Sequence, residues 1–263
     1  MIKTALTALF IYAAFVFFVY KLQDKLLFHP NLQPRDFTGL GHRIQTFSIQ
    51  ADKDTVLEAV GFKAENSDKT AKTIYYFSGN ADDSIQILSI LARRYPAYNW
   101  VTYSYRGYGK SGGKPNLKNL KEDTLLFYNR VKDFFNSEEE ILFGYSLGSG
   151  AAAHLASKVE FSKIILATPF DSIANVSRSH FPWIPFINEL LNYRLNSVEY
   201  LKNVQSPVAI LALRTDMVVP VRHARKLKER INNLLYYKEF EDIAHGDFIH
   251  DVQVIKEIGE LLQ

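Results

Sequence analysis

The stretch EILFGYSLGSGAAAHLA, residues 140–156, decides how the chain reads. It begins as an apolar, strand-like run and ends as a helix of small residues, with Gly144-Tyr145-Ser146-Leu147-Gly148 at the junction. A strand-to-helix turn this sharp forces its central residue into a strained backbone conformation. Glycines two places to either side let neighbouring backbones pass without a Cβ clash. The hydroxyl of Ser146 then stands at the top of a sheet, at a helix N-terminus whose dipole favours developing negative charge. Five residues of the form G-x-S-x-G are a weak signal alone, and a tight turn without chemistry has the same letters. With a strand before, a helix after and alanines behind, the motif predicts a nucleophile at Ser146.

Outward from this point the chain alternates. Strand runs are expected at TIYYFSG (73–79), NWVTYSYRG (99–107), EILFGYSLG (140–148), KIILATPF (163–170), PVAILALR (207–214) and LLYYKEFE (234–241). Helical segments lie between them: SIQILSILARRY, LKEDTLLFYNRVKDFF, GSGAAAHLASKV and RHARKLKERI, with FIHDVQVIKEIGELL at the end. Near-continuous apolar strands separated by amphipathic helices predict an α/β fold with a mostly parallel central sheet covered on both faces. A hairpin, HRIQTFSIQ and VLEAVGFKA joined by ADKDT, precedes it. Residues 171–204 are aromatic-rich and broken by Pro182 and Pro185, too long for a plain crossover, and read as a small cap above the sheet.

A nucleophilic serine needs a base, and the base needs an orienting acid. Both should follow the serine, acid before base, at the C-terminal ends of later strands. Asp216 lies just past PVAILALR, and His245 just past the last strand. Asp171, which also follows a strand, is the rival acid; His250 is the rival base, a turn or more into the last helix. The other histidines read as ordinary packed or surface residues. The oxyanion that forms during acyl transfer needs donors as well. The N–H of Leu147, next after the serine, is one candidate. The other is the N–H of Asn80, in the loop after TIYYFSG, where Gly79 permits close approach.

Two alternative motifs are weaker. His245, Asp247, His250 and Asp251 do not share one helical face well, so no metal is expected. Gly107-Tyr108-Gly109-Lys110-Ser111-Gly112 spells G-x-G-x-x-G, but Gly113, Lys114 and Pro115 continue a loop instead of opening a helix. No nucleotide cofactor is expected either. The composition adds exclusions. The 263 residues contain no cysteine, which removes disulfides, thiolate catalysis and thiolate metal sites. Lys and Arg number 31 against 28 Asp and Glu, a net charge of +3 spread along the chain, which gives no case for nucleic acid as a partner.

Between Lys3 and Lys21 lie 17 uncharged, mostly apolar residues, TALTALFIYAAFVFFVY. Residues 1–22 are therefore expected to form a single-pass transmembrane anchor, with 23–41 a linker and 42–263 the folded domain. A cleaved signal peptide or a buried core helix are the alternatives. Basic residues flank both ends, so orientation stays open.

With these residues assembled, the chain resembles the α/β-hydrolase family. It is similar to a small membrane-anchored branch of serine hydrolases that includes depalmitoylating and lysophospholipid-cleaving enzymes and is grouped in places with serine aminopeptidase-like domains. The resemblance rests on QDKLLFHP (23–30), FSGNAD (77–82), YRGYGKSGGKP (105–115), GYSLGSGAA (144–152), DMVVP (216–220) and AHGD (244–247), in the expected order over nearly the whole chain. It implies Ser146, Asp216 and His245 as nucleophile, acid and base, with Asn80 and Leu147 as the oxyanion hole. Two positions depart from the family pattern: Ser78 stands where histidine is usual before Gly79, and Ser104 where an acid commonly precedes YRGYG. The expected chemistry is hydrolysis of carboxylic esters or thioesters of acylated substrates, lipids or lipid-modified proteins among them, with no cofactor. An aminopeptidase-like serine peptidase and a non-catalytic membrane-tethered binding protein are the alternatives. Phe181, Trp183, Ile184, Phe186 and Ile187 of the cap either line an acyl pocket or simply pack the cap onto the sheet.

Overall fold

Strands built from residues 73–77, 99–103, 140–145, 163–167 and 208–213 are buried along nearly their whole length, which is why they read as unbroken apolar runs. A computed structural model of the chain describes residues 2–65, 71–184, 190–191 and 194–263. Its strands are β1 (Ile44–Asp52), β2 (Thr55–Phe62), β3 (Thr73–Phe77), β4 (Asn99–Tyr103), β5 (Glu140–Tyr145), β6 (Lys163–Ala167), β7 (Val208–Leu213) and β8 (Leu234–Phe240). They form one sheet in the order β1-β2-β4-β3-β5-β6-β7-β8. The β1–β2 and β2–β4 pairs are antiparallel, and all the others are parallel.

The helices are α1 (Ile2–Leu27), α2 (Ser84–Arg94), α3 (Leu117–Phe135), α4 (Leu147–Ala156), α5 (Ile173–His180), α6 (Ser197–Leu201), α7 (Arg222–Lys228) and α8 (Val252–Leu262). Alternate strand residues point to opposite faces. Ile74 and Tyr76 pack with Leu88 of α2 and Ile258 of α8; Tyr75 and Phe77 pack on the other side with Phe127 of α3 and Ala152 of α4. Phe127 anchors that second core, meeting the rings of Tyr75, Phe77 and Tyr103 at 6.4, 6.0 and 4.9 Å. Truncating such a ring to alanine costs about 3–5 kcal/mol.

Several element ends differ from expectation, each for a local reason. β3 stops at Phe77 and β4 at Tyr103, which releases Ser78–Asp82 and Ser104–Pro115 as loops above the sheet. α3 starts earlier, at Leu117, because the Asn116 side chain accepts from the Asn119 N–H. The final helix begins only at Val252, where Asp251 caps the N–H groups of Gln253 and Val254; a short 3-10 turn, His245–Asp247, precedes it. That break puts His245 in a connection rather than at a helix start.

The expected transmembrane anchor is not borne out. Among the described residues no helix is long and apolar enough to cross a membrane. The uncharged 17-residue interval rises about 26 Å as a helix, short of the roughly 30 Å of a hydrocarbon core. α1 also runs past residue 22 to Leu27, through Gln23, Asp24 and Lys25, into contact with the folded domain. Phe15 meets Trp183 at 5.6 Å, Gln23 Nε2 donates to the Leu190 carbonyl at 3.3 Å, and Phe28 is buried in the core.

Candidate active site

Ser146 sits between β5 and α4 with φ +52° and ψ −118°, a conformation that a residue with a Cβ adopts only under strain. The surroundings hold it there. Its N–H donates to the Ala167 carbonyl of β6 at 2.9 Å, and Ser149 Oγ donates to its carbonyl at 2.6 Å. A Cβ on Gly148 would lie 2.1 Å from the Phe77 carbonyl oxygen, and one on Gly144 2.5 Å from the Gly148 oxygen. The two glycines are therefore required by the close approach of α4 to the ends of β3 and β5.

The structure brings Ser146, His245 and Asp216 together from three separate loops. His245 Nε2 is 2.9 Å from Ser146 Oγ, and His245 Nδ1 is 2.7 Å from Asp216 Oδ2. With Nδ1–H donating to the carboxylate, Nε2 is left as acceptor for the serine O–H. Asp216 is itself fixed: its Oδ1 accepts from the N–H groups of Val218 and Val219 at 2.7 and 2.8 Å. Both carboxylate oxygens thus have charge-strengthened partners and the side chain has no freedom to turn.

Of the two expected oxyanion donors, Leu147 follows Ser146 directly, and Asn80 lies in the loop that leaves the end of β3. Leu147 opens α4, so its N–H has no intrahelical acceptor. Among the described residues the main-chain N–H of Leu147 and of Asn80 form no hydrogen bond. The Asn80 loop starts where Phe77 and Ser78 press on Gly148. Inside that loop Gly79 N–H donates to Asp82 Oδ2 at 3.0 Å, and burial pushes the Asp82 carboxyl upward against that hydrogen bond.

Tyr145 is a contributor that the sequence left unassigned, although it lies inside the motif. Its hydroxyl donates to the His245 carbonyl at 2.5 Å, and its ring stacks on the imidazole at 5.4 Å and on Phe248 at 5.4 Å. Burial pushes its phenol well above the ordinary range, so it stays a donor. No spacing rule predicts a prop on the back of the histidine.

The rivals are accounted for. Asp171 faces His223, Lys226 and Asn175 rather than His245. His250 is exposed and does not meet Ser146. Of the cap residues, Phe181 and Trp183 are 48% and 57% exposed, and Ile184 is buried. Trp183 packs on Phe15 and Phe181. Phe186 and Ile187 lie outside the described residues. A cavity of about 450 Å³ lies at the opposite end of α4, lined by Lys158, Glu160, Tyr200 and Gln205 among others, away from Ser146. The glycine-rich loop 107–113 folds back onto β2, Gly112 N–H donating to the Val56 carbonyl at 2.9 Å, and Arg106 ties it to Asp52 and Asp123. Glu58 of β2 supplies the negative charge beside Ser104, its Oε2 accepting from Ser104 Oγ at 3.4 Å and from the Lys110 N–H at 2.9 Å. Among the described residues no group of three or more His, Asp or Glu side chains is arranged to hold a metal ion.

No protein-family model matches the chain. It is 34% identical over 202 residues to the uncharacterized membrane protein YNL320W of Saccharomyces cerevisiae, covering 73% of this chain and 70% of that protein. It is 29% identical over 177 residues to lysophosphatidylserine lipase ABHD12 of Danio rerio, covering 59% of this chain and 46% of the lipase, so it spans about half the lipase's length. Among solved structures, the Pyrococcus furiosus esterase Pf2001 matches with a TM-score of 0.69 at 18% identity, over 89% of this chain and 98% of that one, which is a likeness of fold. The chain belongs to the α/β-hydrolase family.

Proposed function

We propose that the protein is a serine hydrolase that cleaves carboxylic ester or thioester bonds of acylated substrates through an acyl-enzyme intermediate. One observation carries the reading: His245 stands between Ser146 Oγ at 2.9 Å and Asp216 Oδ2 at 2.7 Å, with the serine on a strained strand-to-helix turn. In the first step Ser146 Oγ attacks the acyl carbon while its proton passes to His245 Nε2. The carbonyl electron pair moves onto oxygen, which the N–H groups of Leu147 and Asn80 receive. Collapse breaks the carbon–oxygen or carbon–sulfur bond, and the leaving group takes the proton from His245. Water then attacks the acyl-serine, giving its proton to the same imidazole, and collapse returns that proton to Ser146 as the acid leaves. Asp216 remains ionised throughout and stabilises the imidazolium.

In this reading residues 42–263 are the catalytic domain and 171–204 its cap. The lysophosphatidylserine lipase among the relatives supports a lipid ester as substrate. So does α1, which exposes Leu6, Leu9, Phe10, Ile11, Phe17 and Phe18. A helix apolar on every side requires apolar surroundings, and a lipid layer supplies them without the helix having to cross it.

The test is labelling with a fluorophosphonate probe, comparing wild type with Ser146→Ala. Labelling of wild type alone is expected; equal labelling of both removes Ser146 as nucleophile, and labelling of neither favours a binding protein. A chain-length series of nitrophenyl esters, run beside aminoacyl amides, then decides between esterase and peptidase. Preference for the amides overturns the esterase assignment.

A further inference from the structure

The oxyanion loop, Ser78–Asp82, contains no helix or strand, yet several of its polar groups are tied. Tyr105 O–H donates to the Ser78 carbonyl at 2.9 Å, and Asn31 Nδ2 to the Ala81 carbonyl at 3.1 Å. Ser78 itself reaches only the carbonyl of its neighbour Gly79, at 3.4 Å, so it braces nothing across the site. The Asn80 side chain does. Its Oδ1 accepts from Tyr108 O–H at 2.8 Å and from the His29 N–H at 3.4 Å, and its Nδ2 donates to the Leu27 carbonyl at 2.5 Å. The Tyr108 oxygen in turn accepts from the His29 N–H at 3.0 Å.

The arrangement has a clear logic. Leu27 is the last residue of α1, and the final carbonyls of a helix lack intrahelical donors. The Asn80 amide satisfies one of them, and Tyr108, buried against Tyr105, completes a closed ring with His29. Phe28, between the two tethered residues, is buried in the core, so the end of α1 is a fixed point rather than a loose tail. A peptide N–H is aimed by the conformation of its own residue. Holding the Asn80 side chain at both ends therefore holds its N–H.

We propose that Tyr108 and the side chain of Asn80 are positioning residues for the oxyanion hole, fastening it to the end of α1. This rests on the reading that the Asn80 main-chain N–H receives the oxyanion. Neither side chain touches substrate; each acts through the direction of that N–H.

The experiment is a double-mutant cycle with Tyr108→Phe and Asn80→Ala in the full chain, measuring kcat and KM on a nitrophenyl ester and the thermal midpoint of each variant. Tyr108→Phe keeps the buried ring, and Asn80→Ala keeps the main-chain N–H. The expected result is a fall in kcat of roughly tenfold for each variant, with KM and thermal midpoint unchanged and the double variant no slower than Asn80→Ala alone. Unchanged kcat in both variants overturns the proposal, and so do fully multiplicative losses, which would make Tyr108 independent of Asn80. If Tyr108→Phe melts early, Asn80→Ala decides alone: a wild-type kcat overturns the proposal, and a lowered kcat at constant KM and thermal midpoint upholds it. Absence of turnover by the wild type would instead be the failure of the serine-hydrolase reading, a separate outcome.

Discussion

His223 Nδ1 lies 2.8 Å from Asp171 Oδ1, and the opposite ring nitrogen lies 2.9 Å from Ser179 Oγ. These spacings closely match those around His245, so two Ser–His–Asp arrays stand among the described residues. They are not equivalent. Ser179 is in the last turn of α5 with ordinary helical backbone, and its Oγ donates to the Asn175 carbonyl at 3.0 Å. No strained turn presents it, since its backbone φ is not positive. The second array joins α5 to α7.

Ser179→Ala should therefore retain fluorophosphonate labelling and ester turnover within about twofold. Ser146→Ala should lose labelling and at least about 10³-fold in kcat. Mass mapping of the labelled peptide checks both; a probe adduct on Ser179 would refute the distinction.

The Asp171 array should matter for stability instead. Burial alone would raise the Asp171 carboxyl, but hydrogen bonds from His223, Lys226, Asn175 and the Ser172 N–H outweigh it and bring it down to about 2. A carboxyl lowered in the folded state contributes stability that is complete above its unfolded value, about 4, and is lost as pH falls from there through about 2. Asp171→Asn is expected to cost about 3 kcal/mol at pH 7 and to flatten the urea-midpoint profile between pH 4 and 2.

His154 acts in the same direction at higher pH, because its folded-state value is also lowered. It packs edge-on to Tyr200 with its Nδ1 buried and unpartnered, and burial together with Lys121 and Lys158 lowers it to about 4. Between its unfolded value of about 6.5 and 4 the unfolded chain binds a proton that the folded chain does not, so stability falls as pH falls through that interval. His154→Phe keeps the ring contact and removes the proton site. Chemical denaturation at pH 7 and pH 5 should show a smaller difference for the variant than for wild type.

Tyr145→Phe removes the hydroxyl that donates to the His245 carbonyl and leaves the stacked ring in place. The loss of one hydrogen bond, about 1 kcal/mol, should lower kcat roughly fivefold if it is felt at the imidazole. Tyr145→Ala should be worse in both kcat and thermal midpoint. Equal kcat for wild type and Tyr145→Phe would reduce Tyr145 to packing.

If α1 lodges in lipid, replacing two of its exposed residues, Leu9→Asp with Phe10→Asp, should cut co-sedimentation with phosphatidylcholine vesicles severalfold. The rate on a short water-soluble ester should stay unchanged, because the end of α1 that meets Asn80 is far along the helix. Undiminished vesicle binding would count against a lipid setting for α1.

Much of this protein was decided locally. Residues 140–156 carry their own instruction, since only glycine fits where α4 crosses the end of β3 and only a forced turn lifts Ser146 into view. The alternation of apolar strands and amphipathic helices sets the parallel sheet, and strand ends on one rim make the order Ser146, Asp216, His245 predictive. Tertiary structure alone decided which acid meets which histidine. Asp171 and Asp216 both follow strands, and only the paths of their loops place one on His223 and the other on His245. It also decided the supports: Tyr145 behind the imidazole, Glu58 beside Ser104, and the end of α1 on Asn80. These contacts join residues tens of positions apart whose side chains have no periodic relation, so their meeting depends on packing and loop closure and leaves no mark in the order of the letters.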